Sequence, residues 1–165
     1  IDDIAHALSL LCRGNGHVKT FFSVGQHCIL CAKEAMARGL PRRLALAALL
    51  HDASECYMSD VPRPFKKSLP KYQRQEEKLL CIIYEKYLGT GLSAKEEQQL
   101  KNIDNDLLWY DLKFLLNEEP PQPKPSVCVP IDYTVRPFQE VEDEYRMLFK
   151  QLRADIHNSD LLDHD

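Results

Sequence analysis

Apolar residues recur at helical spacing along most of the chain. Ile4, Leu8 and Leu11 lie at i, i+4 and i+7, which predicts a short helix over residues 3–12. The same kind of pattern predicts further helices over residues 23–38, 42–57, 72–88, 93–117 and 138–156. A strand pattern occurs only briefly, at residues 127–129.

Capping and breaking residues set the bounds of these helices. Ser23 and Gln26 form one capping box, and Ser93 and Glu96 form a second. Two glycines break the chain at residues 13–17, and Gly39 with Pro41 ends the second helix. Residues 118–137 contain 6 of the 10 prolines and are predicted to be an irregular connection. The polar tail, residues 157–165, is expected to fray.

One predicted helix is apolar on every side. Its stretch Leu44–Leu50 has no polar face, which is typical of a central, buried helix. We therefore predict an all-α fold of about six helices in a single domain, residues 1–165. That domain would comprise a helical core (3–117), the Pro-rich connection (118–137) and a C-terminal helix (138–156).

Composition narrows the classes of function. The 165 residues are 44% hydrophobic and 28% charged, with a formal net charge of −4 and no Lys/Arg run longer than two. This balance disfavours a nucleic-acid or membrane-surface binder, and we expect neither partner. No apolar stretch reaches the roughly 18–20 residues of a membrane span, and no signal peptide is evident. Without a secretion signal, the six cysteines favour reduced thiols and a cytoplasmic protein.

The pair His51-Asp52 directly follows the buried apolar run. An imidazole and a carboxylate at the end of a buried segment need partners, and a divalent metal would satisfy both. A His–Asp hydrogen bond in the core, or a helix end emerging into solvent, would explain the pair equally simply. The pair is therefore a candidate metal site with a structural alternative.

Two further residues extend that candidate site. His27 lies on the apolar stripe of its helix, and Asp104 lies on the inward stripe of the 93–117 helix, whereas Asp106 lies on a solvated face. His27 alone could be an ordinary core histidine. Together, His27, His51, Asp52 and Asp104 offer two nitrogens and two carboxylates with room for water, and Asp106 is the substitute for Asp104.

Acidic and basic residues near the pair suggest catalysis. Glu55 lies one helical turn after His51, and Asp60 precedes a Pro-rich turn, so both could carry out acid–base work. A solvated last-turn residue and a turn former are the simpler explanations. Arg13 in its glycine loop and Lys66 after the Pro turn could bind phosphate, although exposed charge is the common role of such residues.

Cys28 and Cys31 have the spacing of a redox or zinc motif. Both fall on the inward stripe with His27, and no second pair exists to complete a four-cysteine zinc site. We therefore predict that the two thiols pack in the core.

The order His27, His51-Asp52, Asp104 resembles the HD-domain superfamily of metal-dependent phosphohydrolases. The longer string His51-Asp52-Ala53-Ser54-Glu55, followed by Asp60-Val61-Pro62-Arg63-Pro64-Phe65-Lys66, resembles its bacterial 5′-deoxynucleotidase branch. The resemblance implies metal ligands at His27, His51, Asp52 and Asp104, with Asp111 favouring Asp104 over Asp106. It also implies catalytic roles for Glu55 and Asp60 and a phosphate contact at Arg13.

The expected activity is release of phosphate from a nucleotide, with a (deoxy)nucleoside 5′-monophosphate as the favoured small-molecule substrate. One divalent ion (Mn, Co, Zn, Mg or Fe) is expected as the cofactor. The alternatives are HD-type hydrolysis of another phosphoester (a signalling nucleotide, a nucleoside triphosphate or a cyclic dinucleotide) and a non-catalytic nucleotide or metal sensor. Members of this superfamily often pair, and helices 72–88 and 138–156 could supply the face of a homodimer.

Overall fold

The protein is all-α, as the apolar pattern predicts. The computed structural model describes the backbone of residues 1–162 and the side chains of residues 1–154. Two single-turn helices join six longer ones, and the part described contains no β-strand. In chain order the helices are α1 (Asp2–Leu10), α2 (Val24–Ala37), α3 (Arg42–Leu50), α4 (Glu55–Met58), α5 (Arg63–Lys66), α6 (Pro70–Leu88), α7 (Ala94–Phe114) and α8 (Phe138–Leu162).

Helix α3 lies at the centre of the bundle. Every residue from Leu44 to Leu50 is buried, and α2, α6, α7 and α8 all pack against this helix. The C-terminal helix belongs to the same core, since Tyr145 of α8 is fully buried and its hydroxyl donates to the Leu49 carbonyl at 2.6 Å. The prediction of a central, buried helix is therefore confirmed.

The start of α2 is held tightly against α1. A Cβ atom on Gly25 would lie 3.1 Å from the Leu8 carbonyl oxygen, so any larger residue would require the backbone of α1 to shift by a few tenths of an ångström. The Ser23–Gln26 capping box is present, with both reciprocal hydrogen bonds made. Beside it, the Arg13 amide donates to the Phe22 carbonyl at 2.8 Å. These contacts place the glycine loop next to the first turn of α2.

The predicted helix over 42–57 is wrong in its second half. Helix α3 ends at Leu50, residues 51–54 form a turn, and α4 follows as a single turn. In this segment the Ala53 amide bonds to the Leu50 carbonyl and the Glu55 amide to the Asp52 carbonyl. Such i to i−3 bonds tighten the chain relative to an α-helix, so the regular helix ends at Leu50 and the chain turns at residues 51–54.

Several other boundaries differ from the prediction. Helix α1 ends at Leu10 rather than at residue 12, and α6 begins at Pro70 rather than at residue 72, because Pro is well tolerated in a first turn. The Pro-rich turn contains the unpredicted helix α5. Helix α7 ends at Phe114 rather than at residue 117, and Asn117 adopts a left-handed conformation, with φ of 59°, just beyond it.

The Pro-rich connection, residues 118–137, is irregular as predicted, but the strand expected at 127–129 does not form. Instead the buried carboxylate of Glu34 on α2 accepts hydrogen bonds from the amides of Cys128 (2.9 Å) and Val129 (3.0 Å). Arg38 donates to the same carboxylate at 2.7 Å. A side chain therefore takes the hydrogen bonds that a neighbouring strand would take, and it anchors the connection to α2.

The last helix is longer than predicted. Its backbone continues to Leu162, so residues 157–162 are helical rather than frayed, and residues 163–165 of the expected tail lie outside the described residues. None of the described helices combines the length and the apolar character that crossing a membrane requires.

Candidate metal centre and active site

His27 lies in the first turns of α2 with its side chain fully buried. Its Nε2 atom is 3.2 Å from Oδ1 of Asp104 on α7 and 3.4 Å from Sγ of Cys31. Its Nδ1 atom is 3.3 Å from Oδ2 of Asp111. The inward orientation predicted from the apolar stripe is confirmed.

His51 faces His27 from the end of α3. Its Nδ1–H donates to the carbonyl of Ala48 at 2.7 Å, which leaves Nε2 as the atom that points to its neighbours. The two imidazole centroids are 5.4 Å apart. Nε2 of His51 lies 3.3 Å from Oδ2 of Asp52 and 3.7 Å from Oδ1 of Asp104, yet it makes no hydrogen bond within the described part of the chain.

Asp104 completes this group from α7. Its Oδ1 contacts both imidazoles, and its Oδ2 accepts a hydrogen bond from Arg63. Asp106 lies outside the group and pairs with Arg38 at 2.8 Å, so it is ion-paired rather than simply solvated. The helical phase therefore distinguishes the two carboxylates correctly.

The imidazoles and carboxylates of the cluster shift one another's pKa values. Burial disfavours charge on Asp104, but the imidazoles of His27 and His51 hold the pKa of its carboxyl well below the ordinary value. Burial likewise disfavours a charged His51, but the negative charge of Asp52 raises the pKa of that imidazole well above its usual range. The Asp104 carboxyl is thus held in its ionised form beside the two imidazoles.

The donor set fits a divalent ion. Nitrogen and oxygen ligands at about 2.0–2.2 Å from one ion lie roughly 3–3.6 Å from each other. Three contacts within the set are close to this range: His27–Asp104 at 3.2 Å, His51–Asp52 at 3.3 Å and His51–Asp104 at 3.7 Å. The unpartnered Nε2 of buried His51 is an atom that a metal would satisfy. Groups able to hold an ion also include two thiols, as the sets His27–Cys31–His51 and Cys28–His51–Asp52.

Arg13 enters the site from a tight turn at residues 13–16. Gly14, Asn15 and Gly16 all have positive φ, which explains the glycines there. Nη2 of Arg13 lies 3.1 Å from Asp111 and Nη1 lies 3.5 Å from Asp52. Burial opposes its charge, but these carboxylates raise the pKa of the guanidinium well above its ordinary value. Arg13 is therefore a fixed cation beside the cluster.

Glu55 and Asp60 flank the cluster. Glu55 is 5% exposed, and its Oε2 has no hydrogen-bond partner in the described region. Burial, followed by the charges of Asp52 and Asp60, raises the pKa of the Glu55 carboxyl well above its usual value. Asp60 accepts a hydrogen bond from the Gly14 amide at 2.9 Å and so ties the turn after α4 to the Arg13 turn.

Lys66 lies at the rim rather than free in solvent. Its Nζ is 2.8 Å from Glu76 of α6 and 3.7 Å from Glu55. Beside it is a cavity of about 120 Å³ that opens next to the cluster. The lining residues include His51, Asp52, Ser54, Lys66, Glu76 and Leu80.

Three contacts of the site were missing from the sequence-based prediction. The Tyr133 hydroxyl donates to Asp111 at 2.9 Å, Arg63 covers the outer oxygen of Asp104, and Glu76 holds Lys66. The Pro-rich turn gave a signal for Arg63, since it carries cations close after His51-Asp52. Nothing in the sequence signals Tyr133, because its position depends on the path of an irregular segment.

The fold and the site together define an all-α protein with a buried histidine–carboxylate cluster that could hold a metal ion. No protein-family model matches the chain. The chain is 47% identical over 87 residues to the uncharacterized protein YfdR of Escherichia coli K12, covering 53% of this chain and 46% of YfdR. It is 34% identical over 111 residues to an uncharacterized protein of Rhodobacter capsulatus, covering 63% of this chain and 56% of the relative. The chain thus spans about half the length of these curated relatives.

Proposed function

We propose that the protein is an HD-type, metal-dependent phosphohydrolase that releases phosphate from a nucleotide, with a (deoxy)nucleoside 5′-monophosphate as the favoured substrate. The observation that carries the proposal is the convergence of His27, His51, Asp52 and Asp104 from separate parts of the chain, with the buried Nε2 of His51 unpartnered within the described residues. That nitrogen faces the carboxylates of Asp52 and Asp104 without a hydrogen bond, and a metal ion between them would give it a partner.

These four residues would hold one divalent ion, and Mn, Co, Zn, Mg and Fe are the candidates. A divalent ion in such a site lowers the pKa of a bound water and offsets negative charge on a phosphate. The Ala48 carbonyl accepts a hydrogen bond from Nδ1 of His51 and orients that ring, and the Asp111 carboxylate lies 3.3 Å from Nδ1 of His27.

Glu55 is the residue best placed to move a proton. Its raised pKa keeps a proton on the carboxyl at a pH where an exposed glutamate is ionised, and its Oε2 is not engaged by another described residue. Asp60 supports it from the same turn and keeps the Arg13 loop in place through the Gly14 amide.

Arg13 and Lys66 supply the positive charge for the phosphate. Arg13 is held by Asp111 and Asp52, so its guanidinium is oriented before a ligand arrives. Lys66 lines the cavity of about 120 Å³. That volume is below the roughly 300–1,000 Å³ of pockets that enclose a whole ligand, which favours entry of the phosphoryl end alone.

The proposal also includes the location, the partners and the oligomeric state of the protein. Its six cysteines are free thiols, which supports a cytoplasmic location. The net charge of −4 supports a small-molecule partner over a nucleic acid or a membrane surface. A homodimer through the outer faces of α6 and α8 is part of the same proposal.

Phosphate release from a panel of substrates tests this function. The protein is stripped of metal, reloaded with each candidate ion, and assayed with nucleoside mono- and triphosphates, a signalling nucleotide and a cyclic dinucleotide. We expect release from a nucleoside 5′-monophosphate, and a loss of at least about a hundredfold in kcat/KM for Asp104→Asn.

Asp106→Asn is the matched control, because Asp106 lies two residues along the same helix and pairs with Arg38 outside the cluster. Its activity should equal that of the wild type. Release from another phosphoester alone would favour the alternative HD substrate. Nucleotide binding without release under any metal would replace the hydrolase with a sensor, and unchanged activity in Asp104→Asn would remove the site.

A further inference from the structure

The thiol of Cys31 lies against the inner wall of the candidate metal centre. Cys31 follows His27 by four residues on α2, so both side chains project from one face of the helix. Sγ of Cys31 is 3.4 Å from Nε2 of His27, and both side chains are fully buried. The thiol is therefore packed in the core as predicted, and it also lies within hydrogen-bonding distance of an imidazole nitrogen.

His51 adds a third donor from another helix. The ligating atoms of His27, Cys31 and His51 all lie within 4.8 Å of one another. The His51 side chain is only 9% exposed, and its Nε2 lacks a hydrogen-bond partner among the described residues. A buried nitrogen without a hydrogen bond, within 4.8 Å of a thiol and a second imidazole, points to a shared ligand.

The spacing is that of ligands around one ion. Zinc binds histidine nitrogen at about 2.0–2.1 Å and cysteine sulfur at about 2.3 Å, so the two donors lie about 3.5 Å apart in a tetrahedral site. The observed separation of the His27 nitrogen and the Cys31 sulfur is 3.4 Å. A metal could therefore contact both without moving α2.

We propose that Cys31 is a direct thiolate ligand of the metal, beside His27 and His51, and that the centre therefore takes a thiophilic ion such as Zn(II), Co(II) or Fe(II) in preference to Mg(II). This inference rests on the metal centre of the proposed function and names its metal class. His27, His51 and Cys31 form the buried side of the site. Asp52 (18% exposed) and Asp104 (19% exposed) form the side nearer solvent.

Cys28 is the rival thiol. It groups with His51 and Asp52 but not with His27. Cys31 instead reaches both imidazoles, which makes it the better ligand. On binding, the Cys31 sulfur–hydrogen bond is replaced by a sulfur–metal bond, and the proton passes to the buffer.

X-ray absorption at the zinc edge tests the ligand directly in the unmutated protein. The metal-free chain is loaded with Zn(II) alone, without nucleotide. We expect a shell of one sulfur at about 2.3 Å with nitrogen and oxygen at about 2.0–2.1 Å. A shell of nitrogen and oxygen alone would overturn the proposal.

Cobalt substitution identifies the thiol. Co(II) bound to thiolate gives a charge-transfer absorption in the near ultraviolet, which Cys31→Ser should abolish and Cys28→Ser should retain. Cys31→Ser should also weaken Zn(II) binding by at least about tenfold and leave Mg(II) binding unchanged. A band that survives Cys31→Ser and is lost in Cys28→Ser would assign the thiol to Cys28 and contradict the inference.

These readouts are independent of turnover. If sulfur is bound but no phosphoester is hydrolysed, the inference holds and the hydrolase proposal fails. If phosphate is released but the zinc shell lacks sulfur, the reverse is true. Cys31→Ala provides a second variant, and far-ultraviolet circular dichroism confirms that each variant has folded before the spectra are compared.

Discussion

Two buried glutamates of this protein have opposite surroundings. Glu34 on α2 is fully buried and accepts hydrogen bonds from Arg38 and from the amides of Cys128 and Val129. Burial opposes its charge, but these donors hold the pKa of Glu34 below the ordinary value. It acts as an ionised anchor for the Pro-rich connection.

Glu55 is nearly as deeply buried but lacks such donors. Its Oε2 is unpaired with any described group, its closest cation is Lys66 at 3.7 Å, and the carboxylates of Asp52 and Asp60 lie nearby. Burial and those negative charges raise its pKa well above the ordinary value. A buried glutamate is therefore held ionised where donors satisfy its oxygens, and its protonated form is favoured where they do not.

Removing the Glu34 carboxylate, which anchors the Pro-rich connection, should have the largest effect, and that effect should be on stability. Glu34→Ala leaves Arg38 and two backbone amides without their buried acceptor, and we expect the free energy of unfolding to fall by about 3–5 kcal/mol. Urea denaturation measures this change. Glu85→Ala, an exposed glutamate on α6, is the control and should stay within about 0.5 kcal/mol of the wild type. Equal stability of the two variants would show that Glu34 does not anchor the connection.

Replacing the proton-transfer group should affect activity instead. Glu55→Gln keeps the size of the side chain but cannot exchange a proton, so we expect phosphate release to fall by about a hundredfold, or about 2.7 kcal/mol. The free energy of unfolding should rise by about 1–2 kcal/mol, because an uncompensated buried carboxyl is removed. Full activity in this variant would show that Glu55 takes no part in catalysis.

The pH dependence of stability should also differ between Glu55 and Glu34. We expect this effect to be smaller than those of the two substitutions above. Folded Glu55 binds its proton more tightly than the unfolded chain does, so its contribution to stability falls as pH rises from the ordinary glutamate pKa through its raised folded pKa. Glu34 contributes stability above the ordinary pKa and loses it as pH falls through its lowered folded pKa.

Urea titrations of the chelator-treated wild type and of both variants measure these slopes. The stability gained by Glu55→Gln should vanish in acid, and the loss caused by Glu34→Ala should shrink there. If stability varied with pH in the same way in both variants, the proposed difference between Glu34 and Glu55 would be contradicted.

Sequence pattern was sufficient for the six longer helices, apart from their exact ends, and for the inward face of α7. The apolar stripes and capping boxes depend on neighbours along the chain, and they place Asp104 and His27 correctly. The break after Leu50 was not predictable in this way. It arises from i to i−3 backbone hydrogen bonds around residues 51–54, which no change in the residue pattern predicts.

The roles of Glu34 and Tyr133 depend on tertiary structure. On sequence grounds Glu34 resembles half of an exposed i, i+4 pair with Arg38, and it is buried only because the Pro-rich connection passes over it. Tyr133 reaches Asp111 for the same reason. An irregular segment of twenty residues has too many conformations for local rules to select this path.

The hydrogen bond between His51 Nδ1 and the Ala48 carbonyl joins the candidate centre to the most buried helix of the bundle. Because Ala48 belongs to the last turn of α3, any tilt of the imidazole would break its hydrogen bond to that helix. A ligand captured by Nε2 would therefore also brace the interior of the protein, adding about 2.7 kcal/mol to its stability at a concentration of one hundred times its Kd. Melting curves followed against ligand concentration would then report occupancy of the centre, with no substrate present.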